Sequence, residues 1–306
     1  MPLEEYLEEL RDPKKPLLAS KLSALSALSG DDATLITRAW SGIDTGRRRQ
    51  ILKRLLDLAE DNVEMNFDSV FITALKDEDG EARRLAVQGL WEYEGRDLIG
   101  VLIEMLKKDP EAGVRAEAAL ALGSFVLRAE LQRLSAADSK RIEVALHAAV
   151  DDPEEVVDVR ARAVESVGAL TLPWVRGIIE GAYRSKEWRL RLSAVHAMGR
   201  NCDPHWFSQV IEELASDDAE MRYEAATACA ACCGESAIPH LQPLLEDEDP
   251  EVQEAAIAAL GEIGGPEAKR ALRDISKHPE PRVREAVTAA LEEMDFNEDP
   301  LGFRLS

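Results

Sequence analysis

The chain has 306 residues and 45% hydrophobic content, enough apolar side chain to bury a continuous core, so it reads as folded rather than disordered. Aromatic residues are only 5% while Ala and Leu abound, which favours close-packed helices over β-layers, because strands draw on β-branched and aromatic side chains. Lys and Arg total 37 against 59 Asp and Glu, and the formal charge of -22 repels phosphate polyanions and sets nucleic acid aside as a partner, leaving solubility or attraction of a basic partner as its meaning.

The first residues, MPLEEYLEEL, lack the basic start and apolar run of a secretory signal, and nowhere do the ~20 apolar residues needed to span a bilayer occur together. The expectation is a soluble, cytoplasmic chain with no membrane partner. PLEEYLEELRDPKK reads as a polar capping helix ended by Asp12 and Pro13. PLLASKLSALSALSG, DDATLITRAWSGI, RRRQILKRLLDLAED and NFDSVFITAL read as further helices, so that residues 1–75 form an N-terminal cap and degenerate repeats. The basic cluster Arg47, Arg48, Arg49, Lys53 and Arg54 reads as a solvated helix face, since a phosphate groove would not be set in so acidic a chain.

From residue 76 to 291 one pattern recurs: an apolar residue, usually Arg, small residues, then an apolar residue eight places after the first. Its copies start at Ala82, Val114, Val159, Leu190, Met221, Val252 and Val283, with steps of 32, 45, 31, 31, 31 and 31 residues. Apolar residues at offsets 0, 4, 5 and 8 share one face of a 3.6-residue helix. Acidic turns such as LEDEDPEV supply N-cap carboxylates, and a second apolar stretch such as IPHLQPLLED precedes each turn. The unit is helix, turn, helix, too small to bury both apolar faces alone, and so it stacks on its neighbours. The surplus in the 45-residue step lies at residues 128–143 and predicts a lengthened helix and loop, a secondary binding candidate. EEMDFNEDPLGFRLS, residues 292–306, reads as an acidic tail. No linker divides the chain, so one solenoid over 1–306 is expected.

DEDPEVQEAAIAALGEIGGPEAKRAL, from Asp247 to Leu272, resembles the short HEAT-like repeats of the phycobilin-lyase class and of many bacterial HEAT-repeat proteins, over residues 77–291. The resemblance implies an all-α fold, a right-handed α-solenoid of stacked HEAT-type helical hairpins whose second helices line a concave face. It also implies a ladder between repeats formed by Arg83, Arg115, Arg160, Arg191, Arg222 and Arg284, with Gln253 breaking the series. HEAT folds include metal-dependent hydroxylases of the hypusine pathway with His-Glu ligand pairs, but the five histidines here are followed by Ala148, Ala197, Trp206, Leu241 and Pro279. Phosphate loops, nucleophile elbows and H-E-x-x-H helices are also missing from the sequence.

Cys202, Cys229, Cys232 and Cys233 crowd into one stretch and align with Gly264, Leu260, Ile263 and Gly264 of the next repeats, so they read as small buried fillers in a reducing compartment. His196, Cys202 and His205 lack an evident fourth metal ligand, and no metal or cofactor is expected. Offsets 2, 3, 6 and 9 are neither core nor ladder. They place Arg84, Gln88, Trp91, Glu117, Leu120, Arg162, Glu165, His196, Tyr223, Glu224 and Thr227 on the exposed stripe, where aromatic anchors and Arg would carry binding. Trp40, Trp174, Trp188 and Trp206 read as core or repeat-edge fillers. The function expected is a non-catalytic scaffold for a protein or peptide; a phycobilin-lyase-like or tetrapyrrole-chaperone role is the alternative that the resemblance implies.

Overall fold

A computed structural model describes residues 3–298, and every regular element among them is helical. The chain packs as two compact units, residues 1–166 and 167–306. The first holds α1 (Leu3–Leu10), α2 (Ala19–Leu22), α3 (Gly30–Trp40), α4 (Thr45–Asp61), α5 (Asp68–Ala74), α6 (Gly80–Gly89), α7 (Asp97–Lys108), α8 (Ala112–Glu130), α9 (Ala136–Asp151) and all but the last residue of α10 (Val157–Val167). The second holds α11 (Pro173–Tyr183), α12 (Trp188–Asn201), α13 (Phe207–Glu213), α14 (Ala219–Cys232), α15 (Ile238–Leu241), α16 (Pro250–Ile263), α17 (Gly265–Asp274) and α18 (Pro281–Glu298).

Each recurring motif forms the second helix of a hairpin. In the first unit α4 packs on α6 and α6 on α8, while α5 and α7 pair with their own second helices. In the second, α12, α14, α16 and α18 lie side by side, flanked by their first helices. Amphipathic spacing explains the burial: Val252, Ala256, Ile257 and Leu260 at offsets 0, 4, 5 and 8 are all within 1% of full burial. Asp79, Asp218 and Asp249 cap α6, α14 and α16, accepting from Ala82 N, Met221 N and Val252 N, which satisfies first-turn donors that the helix itself leaves open.

One small residue per repeat sets how closely second helices approach. A Cβ placed on Gly199 would stand 2.8 Å from the Cα of Ala228, one on Gly168 2.8 Å from the Cα of Ala197, and one on Gly261 3.1 Å from the Cβ of Ala290. In the first unit Gly123 of α8 meets Ser166 of α10 in the same way, and the Ser166 hydroxyl donates to the Ala119 carbonyl at 2.9 Å. The glycines stand at offset 9 and their partners at offset 7 of the following copy.

The 128–143 surplus lengthens α8 to 19 residues and continues into α9. It is tied down: Arg128 reaches Glu94 at 3.0 Å, and the Arg96 Nε donates to Asp138 at 2.9 Å. The N-terminal helix has an apolar face, with Tyr6, Leu7 and Leu10 buried. Residues 292–298, expected as the start of an acidic tail, are helical. Residues 292–298 continue α18, Met294 is buried, and Asp295 accepts from Lys269 at 2.8 Å; residues 299–306 lie outside those described.

Replacing Gly199 by Ala should destabilise the protein by about 1–3 kcal/mol, because backbone atoms of α14 cannot yield to the new methyl. Gly177 of α11 has nothing within 4 Å of its would-be Cβ, and Gly177→Ala should stabilise by about 1 kcal/mol through helix propensity. Urea unfolding of both variants checks the contrast.

Candidate binding faces and the arginine ladder

The first turn of a second helix carries the connection between repeats. Arg83 grips Asp109 through two bonds of 2.7 Å, Arg115 grips Glu155 at 2.9 and 2.7 Å, and Arg222 grips Asp247 through two of 2.8 Å. The remaining Nη1 of each donates back to a carbonyl of its own turn: Asp77, Asp109 and Ser216. The acceptors are themselves fixed, since Asp109 and Asp247 also accept from Glu111 N and Asp249 N. The Arg222 guanidinium beside Asp247 holds that carboxyl below the usual range, as Arg115 does for Glu155.

The other expected rungs differ. Arg160 donates to the Val150 carbonyl, Arg191 to those of Ser185 and Lys186 while lying over the Trp188 ring, and Arg284 to those of His278 and Pro279. Gln253 is buried; it donates to the Leu245 carbonyl and accepts from Arg282 at 3.0 Å, so an amide serves where the series lacks its arginine.

The basic cluster at 47–54 is not a uniformly solvated face. Arg47 and Arg48 are buried, and only Arg49, Lys53 and Arg54 are exposed. Arg48 lies 2.9 Å from Asp77, with 4% and 1% of the two side chains exposed, and its Nη1 donates to the Ile43 carbonyl. Like Arg83–Asp109 it joins the start of one second helix to the acid of the next turn, though Arg48 donates to Asp77 through Nη2 alone, at 3.1 Å. Trp40 completes it by donating its indole N–H to Asp77 at 2.7 Å. Arg47 donates to the carbonyls of Leu10 and Lys15, anchoring the N-terminal helix. Arg49 pairs with Asp79 and draws that carboxyl down to about 2.

In the first unit the exposed stripe is largely self-paired. Arg84 of α6 binds Glu81 at 2.9 Å and reaches Glu117 of α8 at 3.5 Å, and Arg162 of α10 binds Glu165 at 2.7 Å. Burial pushes the Glu117 carboxyl up, against the pull of Arg84 and Arg162. Glu165, expected on the open stripe, is buried at 4% exposure, with Arg162 of the preceding turn on its carboxylate. What remains open is Gln88, Leu120 and Trp91, the last 64% exposed just beyond the end of α6. In the second unit His196 Nδ1 lies 2.7 Å from Glu224, Tyr223 is 40% exposed, and the exposed Thr227 donates its hydroxyl to the Tyr223 carbonyl. Of the expected residues, Arg84 to Glu165 belong to the first unit and His196 to Thr227 to the second. Trp40 and Trp206 are buried and Trp174 and Trp188 half-buried.

The cysteines are not all buried fillers. Cys229 is fully buried, Cys232 and Cys233 are half-buried 3.6 Å apart, and Cys202 is exposed. Cys202 ends α12 in the left-handed conformation, φ 51°, at the place where Gly264 ends α16 at φ 73°; its thiol donates to the Gly199 carbonyl. Burial raises the Cys202 thiol, and a hydrogen bond to Cys229 raises Cys233 to about 12, so neither is set up as a nucleophile. Among the described residues no group of three or more His, Cys, Asp or Glu is arranged to hold a metal ion.

The family model for HEAT repeats matches residues 69–157 and 207–292, more than half of the chain. The chain belongs to the HEAT-repeat family. Among solved structures, this HEAT-repeat protein is similar to the complex of CpcE and CpcF of phycocyanin lyase from Nostoc sp. PCC7120, with 17% identity over 92% of this chain and 96% of that one, and a TM-score of 0.56. It is also similar to human deoxyhypusine hydroxylase in complex with glycerol (21% identity, 96% and 97% covered, TM-score 0.39) and to the Escherichia coli protein YibA (16%, 93% and 99%, TM-score 0.49). At such identities the CpcE–CpcF likeness is one of fold. No curated protein matches this HEAT-repeat chain in sequence.

Arg222→Ala should cost about 3 kcal/mol, because it strands Asp247 in a site where only 10% of its side chain is exposed. Carboxylates held low by arginine stabilise fully above their ordinary pKa near ~4 and lose that share as pH falls through the folded value. Stability should therefore fall steeply between about pH 4 and the value near 2 of Asp79. Glu117, held high, works with the opposite sign: its ionisation costs stability, and protonation on acidification returns it. Urea midpoints of the wild type and Arg222→Ala across that range measure both effects; a wild-type midpoint flat down to pH 2 would contradict the rung account.

Proposed function

We propose that this HEAT-repeat protein is a non-catalytic scaffold that holds a protein or peptide against the exposed faces of its second helices. The observation that carries the reading is the exposure of Leu120 and Tyr223 on those faces and of Trp91 just beyond α6, since large apolar side chains beside polar ones are what interface anchors require. The charged groups beside them are engaged with one another, Arg84 with Glu81, Arg162 with Glu165 and His196 with Glu224, rather than poised as an acid and base around a reacting atom. The CpcE–CpcF structure supports a protein as the partner class, as a chain of similar fold stands in a complex of two proteins there. Free thiols fit a cytoplasmic setting, and no described helix is long and apolar enough to cross a membrane.

Trp91→Ala, Tyr223→Ala and His196→Ala should each reduce the proteins retained by the tagged chain from its own cell lysate while leaving the thermal unfolding midpoint within a degree or two. Unchanged retention by all three would remove these faces from the reading. The lyase-like alternative rests on the CpcE–CpcF likeness of fold. Titration with phycocyanobilin or haem should leave the absorption spectrum of the ligand unchanged; a shifted band would make tetrapyrrole binding the better reading.

A further inference from the structure

The crossing of α16 and α18 leaves a groove. Second helices approach closely only because small residues stand at their contact, and above Gly261 and Ala290 those same residues leave no side chain to fill the valley between the two helices. The result is an open cavity of about 480 Å3 whose floor is Ile257, Gly261 and Ala290 and whose rim carries Glu254, Glu262 and Glu293. Among the described residues no Lys or Arg lines it. Glu254 has a partner in Arg282 at 3.3 Å, but Glu262 and Glu293 are exposed and meet no cation among the described residues.

Building on the scaffold reading, we infer that this groove takes a basic segment of the partner protein, with a lysine or arginine side chain laid along it. The chemistry of the walls selects that occupant. The methylene stem of Lys or Arg covers an apolar floor while its head group reaches a polar rim, and here the rim is anionic at both helices. An acidic segment would set carboxylate against carboxylate, and a purely apolar one would bury Glu262 and Glu293 without a counter-charge. A bare metal ion would leave the floor uncovered. The expected partner thus carries cationic side chains alternating with small or apolar ones, and the net charge of -22 favours its approach from a distance.

The net charge also sets the control, because any basic peptide is drawn weakly to this chain. A fluorescein-labelled peptide of alternating lysine and leucine would be titrated into the full-length protein at about 0.15 M salt, where charges beyond ~8 Å are screened. Three proteins are compared with the wild type: Glu262→Gln/Glu293→Gln, Ala289→Leu, which fills the exposed edge of the groove without changing charge, and Glu220→Gln/Glu267→Gln, which removes the same charge elsewhere. The first two should weaken binding about tenfold or more, the control pair about twofold at most. With 13C-methyl alanine, the shifts on adding peptide should fall on Ala258, Ala286, Ala289 and Ala290. The inference is overturned if the wild type does not bind, if the control pair loses as much as the groove pair, or if the alanine shifts fall elsewhere. Failure here is separable from failure of the scaffold reading. Loss of lysate partners by Trp91→Ala or Tyr223→Ala, with the groove variants retaining them, would sink the groove and leave the scaffold standing.

Discussion

A guanidinium offers donors on three edges, and burying it is tolerable only when those edges are met. Arg83, Arg115 and Arg222 meet them in one way: two edges on the acid of the next turn, one on a carbonyl of their own. That single side chain fixes the turn, the start of the second helix and the distance to the following hairpin together. The turn acid is equally constrained, because it also accepts from the backbone N–H two residues on, and the next acid along caps the helix. These turn carboxylates are therefore structural, located where positive ends of helices and arginines receive them.

Once the rung occupies offset 1, the core offsets 0, 4, 5 and 8, and the crossing offsets 7 and 9, little of each second helix is free to vary. Offsets 2, 3, 6 and 10 remain. In the first unit they include Arg84, Glu117 and Arg162, paired with Glu81, Arg84 and Glu165, and the open apolar Leu120, while Trp91 stands exposed at offset 9 of the first copy. In the last two repeats they are filled by Ala and Glu, which leave an unneutralised groove. The same scaffold thus presents different chemistry along its length by changing only side chains that the packing does not use.

The helical repeat was legible because its signal is summed over seven copies, and the same summation pointed to the rungs at Arg83, Arg115 and Arg222, while Arg160, Arg191 and Arg284 of the same series bond to backbone carbonyls. Arg48 escaped because its copy is degraded: Arg47 stands at offset 0, where every other copy has an apolar residue, and it is buried only because the carbonyls of Leu10 and Lys15 receive it. A run of three arginines in sequence says nothing about which of them water reaches. Glu165 failed for the converse reason, since helical spacing gives direction but not the cover that Arg162 lays over it. For Cys202 the register was right and the burial wrong. It stands where Gly264 stands, but a residue ending a helix in the left-handed conformation turns away from the core it has just left.

The offsets that build the stack also show where its pattern changes. Val87, Ala119, Val164, Val195, Ala226 and Ile257 fill offset 5 and are all buried, whereas α18 has Thr288 there, exposed. Offset 9 is Gly123, Gly168, Gly199, Ala230 or Gly261 in the five copies from Val114 to Val252 and Trp91 in the first, whereas α18 has the exposed Glu292. A helix approaching α18 in the same register would meet a carboxylate at the point where its backbone must come closest, and a hydroxyl where it needs an aliphatic contact. Two substitutions in the repeat therefore convert a stacking face into a polar one. The polarity of this face of α18 is accordingly a property of the same few positions that make the core of the other repeats.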